Sequence, residues 1–185
     1  ERAKAQAAFA DYGQYLDSLE MTATIKGFEP LYIQRIAQLT NKSNQFNLTT
    51  LRCSEDDIRA MAGDKNDLCL CGKLVDKFGD NGIVTVVAGR QQGDVLDLTL
   101  WLMSCRVLKR GMEDAMMDTV VAEAAARGVK TIVGHYYPTA KNAMVREFYA
   151  QYDFAKTAED ADGNTEWTLD VAAYTPKHPH MKIER

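Results

Sequence analysis

The chain has 185 residues, of which 46% are hydrophobic and 26% are charged, and its formal net charge at pH 7 is −4. That length suits one globular domain, and a mildly acidic chain is a poor general binder of nucleic acid. No apolar run approaches the ~20 residues that cross a bilayer, and the polar N-terminus lacks a signal-peptide core. We therefore expect a cytoplasmic protein without nucleic-acid or membrane partners.

The first third of the chain is predicted to be mainly helical. The predicted elements are a helix over 3–19, a strand over 21–25, a helix from Pro30, an amide-rich loop over 41–47 and a capped helix over 54–63. Three strands follow, at 68–74, 83–88 and 95–103, with turns at 79–82 and 89–93. In the third strand Leu96, Leu98, Leu100 and Leu102 alternate, which predicts one apolar face. Short connections between these strands predict an antiparallel meander.

The remaining residues predict helices alternating with strands. These elements are a helix from about Gly111 to Arg127, a strand over 129–133, a helix from Thr139 to Tyr152, strands at 154–156 and 165–171, and a loose polar tail over 176–185. This order indicates an α+β or mixed-sheet fold. We divide the chain into a helical extension (1–20), the main domain (21–172) and the tail (173–185).

The four cysteines, Cys53, Cys69, Cys71 and Cys105, form no CxxC pair and have no histidine at zinc-finger spacing. Reduced, partly buried thiols without a metal site are the prediction, with a metal site or a catalytic thiol as the alternative.

The sharpest local feature is a basic bend between the third strand and the next helix. Arg106, Lys109 and Arg110 fall within five residues, just ahead of Gly111. A helix N-terminus carries partial positive charge and free N–H groups, so cations there suggest that an outside anion such as phosphate binds. The alternative is a solvated basic turn.

This bend resembles a known motif. Arg106 to Gly111 reads Arg-x-x-Lys-x-Gly and is similar to the pyrophosphate loop of GNAT N-acetyltransferases, usually Gln/Arg-x-x-Gly-x-Gly/Ala, with Lys109 in place of the middle glycine. Downstream, Asn142 and the run from Phe148 to Phe154 resemble the Asn…Phe-Tyr-x-x-x-Gly-Phe helix of that superfamily, with Asp153 in place of the glycine.

Five segments in order resemble the C-terminal part of FkbH-like proteins, over about 15–155. They are Leu19–Met21, Asn41–Thr50, Phe78–Ile83, Trp101–Gly111 and Pro138–Asn142. FkbH-like proteins usually carry a haloacid-dehalogenase (HAD)-type phosphatase domain ahead of this region. They help to load a glyceryl unit onto an acyl carrier protein in polyketide and related secondary metabolism. The chain has no Asp-x-Asp-x-Thr phosphatase motif, so that step cannot be assigned to it.

The resemblance implies a GNAT-like fold, with a central, mostly antiparallel, splayed sheet flanked by helices. A gap beside the third strand would admit the pantetheine arm of coenzyme A or of a carrier protein. The implied cofactor-binding residues are Leu102, Met103, Ser104, Cys105, Arg106, Val107, Leu108, Lys109, Arg110, Gly111, Met112 and Asn142.

Three residues are candidates for catalysis. Tyr149 stands where several GNAT proteins keep a general acid, Asp97 is a candidate base, and His135 follows the strand predicted over 129–133. Packing or solvated roles are the alternatives. Asn44, Gln45 and Asn47 are the candidates for recognising a polar acyl group, against a role in satisfying their own loop.

Two functions follow from these observations. The first is an acyltransferase that uses a thioester of coenzyme A or of a carrier protein, with glyceryl or a similar small polar acyl unit. The alternative is a non-catalytic GNAT-like module that docks an acyl carrier protein beside a HAD-type phosphatase domain, in the same chain or in a partner chain.

Overall fold

One eight-stranded sheet forms the centre of the molecule, and helices lie on both of its faces. The computed structural model describes residues 2–7 and 11–185. The strands are β1 (Thr22–Lys26), β2 (Asp67–Asp76), β3 (Gly79–Gln92), β4 (Val95–Met103), β5 (Thr131–Tyr136), β6 (Ala155–Glu159), β7 (Thr165–Asp170) and β8 (Lys182–Glu184). The α-helices are α1 (Arg2–Ala7), α2 (Tyr12–Ser18), α3 (Ile33–Lys42), α4 (Glu55–Gly63) and α5 (Met112–Ala126).

The strands lie in the order β6-β7-β5-β4-β3-β2-β1-β8. Neighbours run antiparallel except for two parallel pairs, β4 with β5 and β1 with β8. The predicted meander of β2, β3 and β4 is confirmed, and so is the mixed, mostly antiparallel fold. The parallel pairing of β4 and β5 follows from the crossover through α5, since parallel neighbours need a long connection.

A bulge in β4 changes which side chains share a face. The pairing of β3 with β4 shifts between Ala88 and Gly89 and leaves Thr99 as the extra residue. Before the bulge, Leu96 and Leu98 pack in the core beneath α5. After it, Leu100 and Leu102 pack on the opposite face, beneath α3 and α4. The predicted single leucine face is therefore wrong, because one inserted residue inverts the two-residue period.

Two predicted helices are interrupted. The helix predicted over 3–19 consists of α1 and α2, because Asp11 caps α2 by accepting from the Gly13 amide; residues 8–10 lie outside the described part. The helix predicted from Thr139 to Tyr152 is replaced by two short 3₁₀ turns, Ala143–Val145 and Tyr149–Tyr152. Its buried residues, Val145 with Phe148 and Tyr149 with Tyr152, recur every three residues, which suits the three-residue turn of a 3₁₀ helix.

The β2–β3 hairpin turns at Lys77 and Phe78, one step before the predicted turn at 79–82. The Asp76 carboxylate accepts the Phe78 amide at 2.9 Å, which holds this tighter turn closed. Gly79 and Gly82 then lie within β3, where the register with β2 shifts.

The C-terminal tail is attached to the domain, so the prediction of a loose tail is wrong. Its last residues form β8, which pairs with β1. The buried Asp118 carboxylate, on α5, accepts the backbone amides of Lys177 and His178 at 2.9 and 3.0 Å. Tyr174 donates its hydroxyl to the same carboxylate at 2.5 Å. A buried charge needs such partners, and here the tail supplies them.

Gly134 in β5 tests the packing between the sheet and the 3₁₀ turns. A Cβ atom at Gly134 would lie 2.4 Å from Cζ of Tyr149, too close for any real contact. We expect Gly134→Ala to lower the free energy of unfolding by about 1–3 kcal/mol, the usual cost of overpacking. The matched control is Gly63→Ala, since a Cβ there meets nothing within 4 Å. Urea unfolding of both variants checks this, and equal stability would contradict the packing described.

Candidate functional site

Strands β4 and β5 diverge at the middle of the sheet. They pair only between Val95–Asp97 and Thr131–Val133. Beyond these residues, the Thr99 bulge turns the rest of β4 away from β5, so a gap opens between the two strands. The splayed sheet implied by the resemblance is therefore present, with its apex at Asp97 and Val133.

The chain's own segment Phe46–Leu48 occupies this gap. The Met103 amide donates to the carbonyl of Phe46 at 3.0 Å, and the Leu48 amide donates to the carbonyl of Trp101 at 3.0 Å. On the other side, the amide of Tyr137 donates to the carbonyl of Leu48 at 2.9 Å. We call Phe46–Leu48 the gap segment. It pairs with the edge of β4 near Leu102, where a pantetheine arm was expected.

Asn142 fastens the gap segment in place. Its buried side-chain amide donates to the carbonyls of Asn47 and Tyr137, at 2.9 and 3.0 Å, and its oxygen accepts from the Thr139 amide at 2.8 Å. These bonds use both donors of the amide and join the gap segment to the chain that follows β5. Contact with a cofactor stays a prediction for Asn142, whose polar atoms serve the gap in this structure.

The three residues predicted to recognise an acyl group are not equivalent. Asn47 is fully buried, and its side chain bonds the carbonyl of Ser43 and the amide of Thr50, at 3.1 and 2.9 Å. Asn44 accepts from Arg52 at 2.7 Å, and Gln45 accepts from the Cys105 thiol at 3.3 Å. Asn44 and Gln45 line a surface cleft, whereas Asn47 satisfies its own loop.

Two of the predicted catalytic residues meet at the apex of the gap. His135 Nε2 lies 2.5 Å from Asp97 Oδ1. Both side chains lie on the sheet face that carries α3 and α4, and they are 19% and 50% exposed. Tyr137, which follows at the two-residue strand period, places its ring 5.9 Å from that of His135. Burial and the charges of Asp97 and Glu166 raise the pKa of Tyr137, so it stays a neutral phenol beside the pair.

Tyr149, the third predicted catalytic residue, lies in the core on the opposite face. Its ring packs on Gly134 and within 4.8–6.5 Å of the rings of Phe154, Phe148 and Trp101. Burial raises the pKa of its phenol well above the ordinary value. A phenol with so high a pKa gives up its proton poorly near neutrality, which favours a packing role.

The basic bend does not act as one cluster. Arg110 turns inward, where its Nη1 lies 3.3 Å from the buried carboxylate of Asp76 and its Nη2 donates to the carbonyl of Arg106 at 2.9 Å. Burial lowers the pKa of Arg110. Arg106 and Lys109 are exposed, and the Lys109 carbonyl accepts the hydroxyl of Tyr12.

The N-terminus of α5, where the resemblance implied a diphosphate, is crowded by the chain itself. A Cβ on Gly111 would lie 3.1 Å from Pro179 of the tail. Among the described residues, Glu113 Oε2 is buried without a hydrogen-bond partner, and burial raises the pKa of this carboxyl. Tyr152 donates to Asp114 at 2.6 Å. Glu113, Asp114 and the tail share a small pocket of about 340 Å³ at this helix end, and the gap segment pairs with the β4 edge on which the arm was expected. As folded, these residues do not fit the coenzyme.

A basic cleft of about 650 Å³ lies between α3 and the end of β4. Arg35, Lys42, Arg106 and Lys141 line it, together with Ser43, Asn44, Gln45, Ser104 and Cys105. Of these four cations, only Arg106 was predicted from the sequence to bind an anion. They come from separate segments, so no spacing along the chain marks them as a group.

Comparison with known proteins identifies the fold. No protein-family model matches the chain, and no curated protein matches it in sequence. Solved structures do match. The ribosomal-protein-S18-alanine N-acetyltransferase from Escherichia coli superposes with a TM-score of 0.61 at 15% identity, over 80% of this chain and 94% of that one. Spermidine N-acetyltransferase from Vibrio cholerae, in complex with CoA and spermine, gives 0.60 at 9% identity, over 81% and 96%.

The chain has the GNAT acetyltransferase fold. The GNAT domain of S. lividans PAT gives the same result, with a TM-score of 0.60 at 15% identity, over 79% of this chain and 89% of that one. At such low identity the likeness establishes the fold alone. In the described part of the chain, no helix is long and apolar enough to cross a membrane, and no group of three or more His, Cys, Asp or Glu residues is placed to hold a metal ion.

Asp76 anchors the basic bend, and its charge state makes stability depend on pH. Burial alone raises the pKa of this carboxyl, but hydrogen bonds from Arg2 and Phe78 and the charges of Arg2 and Arg110 hold it below its usual value. The stabilisation is therefore present above the unfolded-state pKa of about 3.9 and is lost as pH falls through the lower folded-state pKa.

We expect Asp76→Asn to lower the free energy of unfolding at pH 7 by roughly 3 kcal/mol, because it leaves two partly buried guanidinium groups without their acid. The difference from wild type should shrink at pH 3. The control is Asp80→Asn. The Asp80 carboxylate is 51% exposed beside Lys73, so this substitution should lower the free energy of unfolding much less. Urea unfolding at both pH values measures the effect; a similar loss in the two variants would refute the anchoring role.

Proposed function

We propose that this chain transfers an acyl group, with the imidazole of His135 as the base that takes the acceptor's proton. The observation that carries the proposal is the His135–Asp97 pair, 2.5 Å apart, at the point where β4 and β5 diverge. The likeness in fold to the S18-alanine and spermidine N-acetyltransferases supports it.

The pair has the chemistry of an oriented base. An ionised carboxylate only accepts hydrogen bonds, so Asp97 holds the imidazole hydrogen on Nε2 and leaves the lone pair of the neutral ring on Nδ1. An amine, hydroxyl or thiol of the acceptor that approaches His135 loses its proton to Nδ1. Asp97 then stabilises the imidazolium that forms. In this proposal His135 is the catalytic residue and Asp97 is a positioning residue.

The donor that we propose is an acyl thioester of coenzyme A or of a carrier-protein phosphopantetheine arm. The FkbH-like resemblance extends the proposal to a small polar acyl unit such as glyceryl, an acyl carrier protein as partner, a HAD-type phosphatase domain nearby and a polyketide pathway. The proposal of a cytoplasmic setting rests instead on the composition of the sequence. The gap segment must leave before an arm can lie along β4, since it pairs with that edge of the strand.

A second function is favoured by the closed gap. A GNAT-like module without chemistry would keep the gap permanently filled and would present the basic cleft to an acidic acyl carrier protein. In that case the carrier would bind through charge, and its affinity would fall steeply with salt.

Substitution at the apex separates these functions. Acetyl-coenzyme A and a glyceryl thioester of an acyl carrier protein serve as donors. Spermidine, an alanine-initiated peptide and glycerol serve as acceptors, with products detected by mass spectrometry. We expect His135→Gln and Asp97→Asn to slow transfer by about 10²-fold, because the base or its orientation is lost. His178→Gln, an exposed histidine in the tail, is the control. If wild type forms no product while the carrier binds, the docking function replaces acyl transfer.

The gap segment offers an independent test of the donor. Phe46 is buried, and its truncation should cost about 3–5 kcal/mol of stability. If a pantetheine arm uses this gap, Phe46→Ala also raises the fraction of open molecules, so calorimetry should show coenzyme A binding at least tenfold more tightly than to wild type. Phe78→Ala, at the β2–β3 turn, controls for loss of stability alone. Coenzyme A affinity unchanged by both substitutions would exclude the gap as its entry.

A further inference from the structure

The residues that line the basic cleft have no role in the proposed transfer reaction. Its cations come from four places: Arg35 and Lys42 from α3, Arg106 from the turn after β4, and Lys141 from the segment after β5. Ser43, Asn44, Gln45 and Ser104 add neutral hydrogen-bonding groups, while Leu39 and Met103 add apolar surface. Among the residues that the structure describes, no Asp or Glu lines the cleft.

The cations of this cleft have no acidic partner in the described part of the chain. Within residues 2–7 and 11–185, none of the four cations forms an ion pair with an acid. The guanidinium of Arg106 donates to neutral groups, Ser104 Oγ and the carbonyl of Asn81, both at 3.3 Å. Burial and the nearby charge of Arg106 lower the pKa of Arg35. In contrast, the neighbouring Arg110 is paired with Asp76.

This arrangement is unfavourable unless an anion relieves it. Like charges that converge on a partly desolvated cleft repel one another, and the whole chain carries a net charge of −4, so the cleft is a local exception. Guanidinium groups bind phosphate oxygens with two parallel hydrogen bonds, and lysine ammonium groups add point charges.

We propose that the basic cleft binds the phosphate groups of a small organic molecule. Four cations match a ligand that carries two or more negative charges, and a volume of about 650 Å³ accommodates a molecule of sugar-phosphate to nucleotide size. The serine and amide groups then contact its uncharged polar part. The site is distinct from the crowded N-terminus of α5, and it stands whether or not the chain transfers acyl groups.

Cys105 provides a reporter inside the cleft. It is the one exposed cysteine of the four, since Cys53 and Cys71 are buried and Cys69 is partly buried. Burial also raises the pKa of both Cys69 and Cys71 to about 12, which makes them slow to alkylate near neutrality. A ligand in the cleft should therefore slow iodoacetamide labelling of this protein at a single, identifiable position.

The experiment measures pyrophosphate binding by calorimetry and by protection of Cys105, at constant ionic strength set with chloride. We expect saturable binding to wild type and at least tenfold weaker binding to the double variant Arg35→Gln, Lys141→Gln. The control, Lys65→Gln, removes an exposed cation outside the cleft and should bind as wild type does. Thermal unfolding of each variant verifies that it is folded.

Desulfo-coenzyme A distinguishes the two sources of phosphate. If it displaces pyrophosphate and protects Cys105, the cleft takes the phosphates of the coenzyme; if it does not, a separate phosphorylated molecule is the ligand. Either result supports the phosphate cleft. The proposal is overturned if pyrophosphate neither binds nor protects Cys105, or if the double variant binds it as tightly as Lys65→Gln does. Failure here leaves the His135 experiments unaffected.

Discussion

The Thr99 bulge is the feature on which the rest of the structure depends. A single extra residue ends the pairing of β4 with β5 after Asp97 and exposes the β4 edge from Trp101 to Met103. Unpaired backbone groups inside a protein carry a cost of about 1–3 kcal/mol each, so something must pair with that edge. The gap segment does so, and it also brings the side chains of Phe46 and Leu48 into the core.

The distribution of charge around the gap determines where an anion can bind. Arg110 is turned inward to Asp76, so the predicted basic bend loses one of its three cations to the protein's own stability. The helix N-terminus beside it carries Glu113 and Asp114 under the tail. Of the other two cations of the bend, Arg106 lines the cleft beside α3, whereas Lys109 lies at the helix N-terminus. We therefore propose the anion site in the cleft rather than at the helix N-terminus.

Much of the fold follows from the residue pattern, whereas contacts between distant segments do not. The β2–β4 meander and α5 were predictable because each has its own period and its own turn residues. Asp97 and His135 were identifiable as candidates, but their contact depends on strand pairing that no local pattern encodes. The gap segment was hidden in an amide-rich run that predicts a loop. Gly89 lies opposite the Thr99 bulge within β3, but it was interpreted as the start of a turn over 89–93, so the two faces of β4 were not assigned correctly.

Hydrogen exchange at the gap tests the central claim, that the chain closes its own divergent sheet. The amides of Leu48, Met103 and Tyr137 each donate a hydrogen bond across the gap, and all three bonds are lost if the segment leaves. The structure predicts that, in the free protein, these amides exchange far more slowly than unprotected amides, with protection comparable to that of the central strand β3. Exchange of all three at the rate of an unprotected chain would contradict the closed gap.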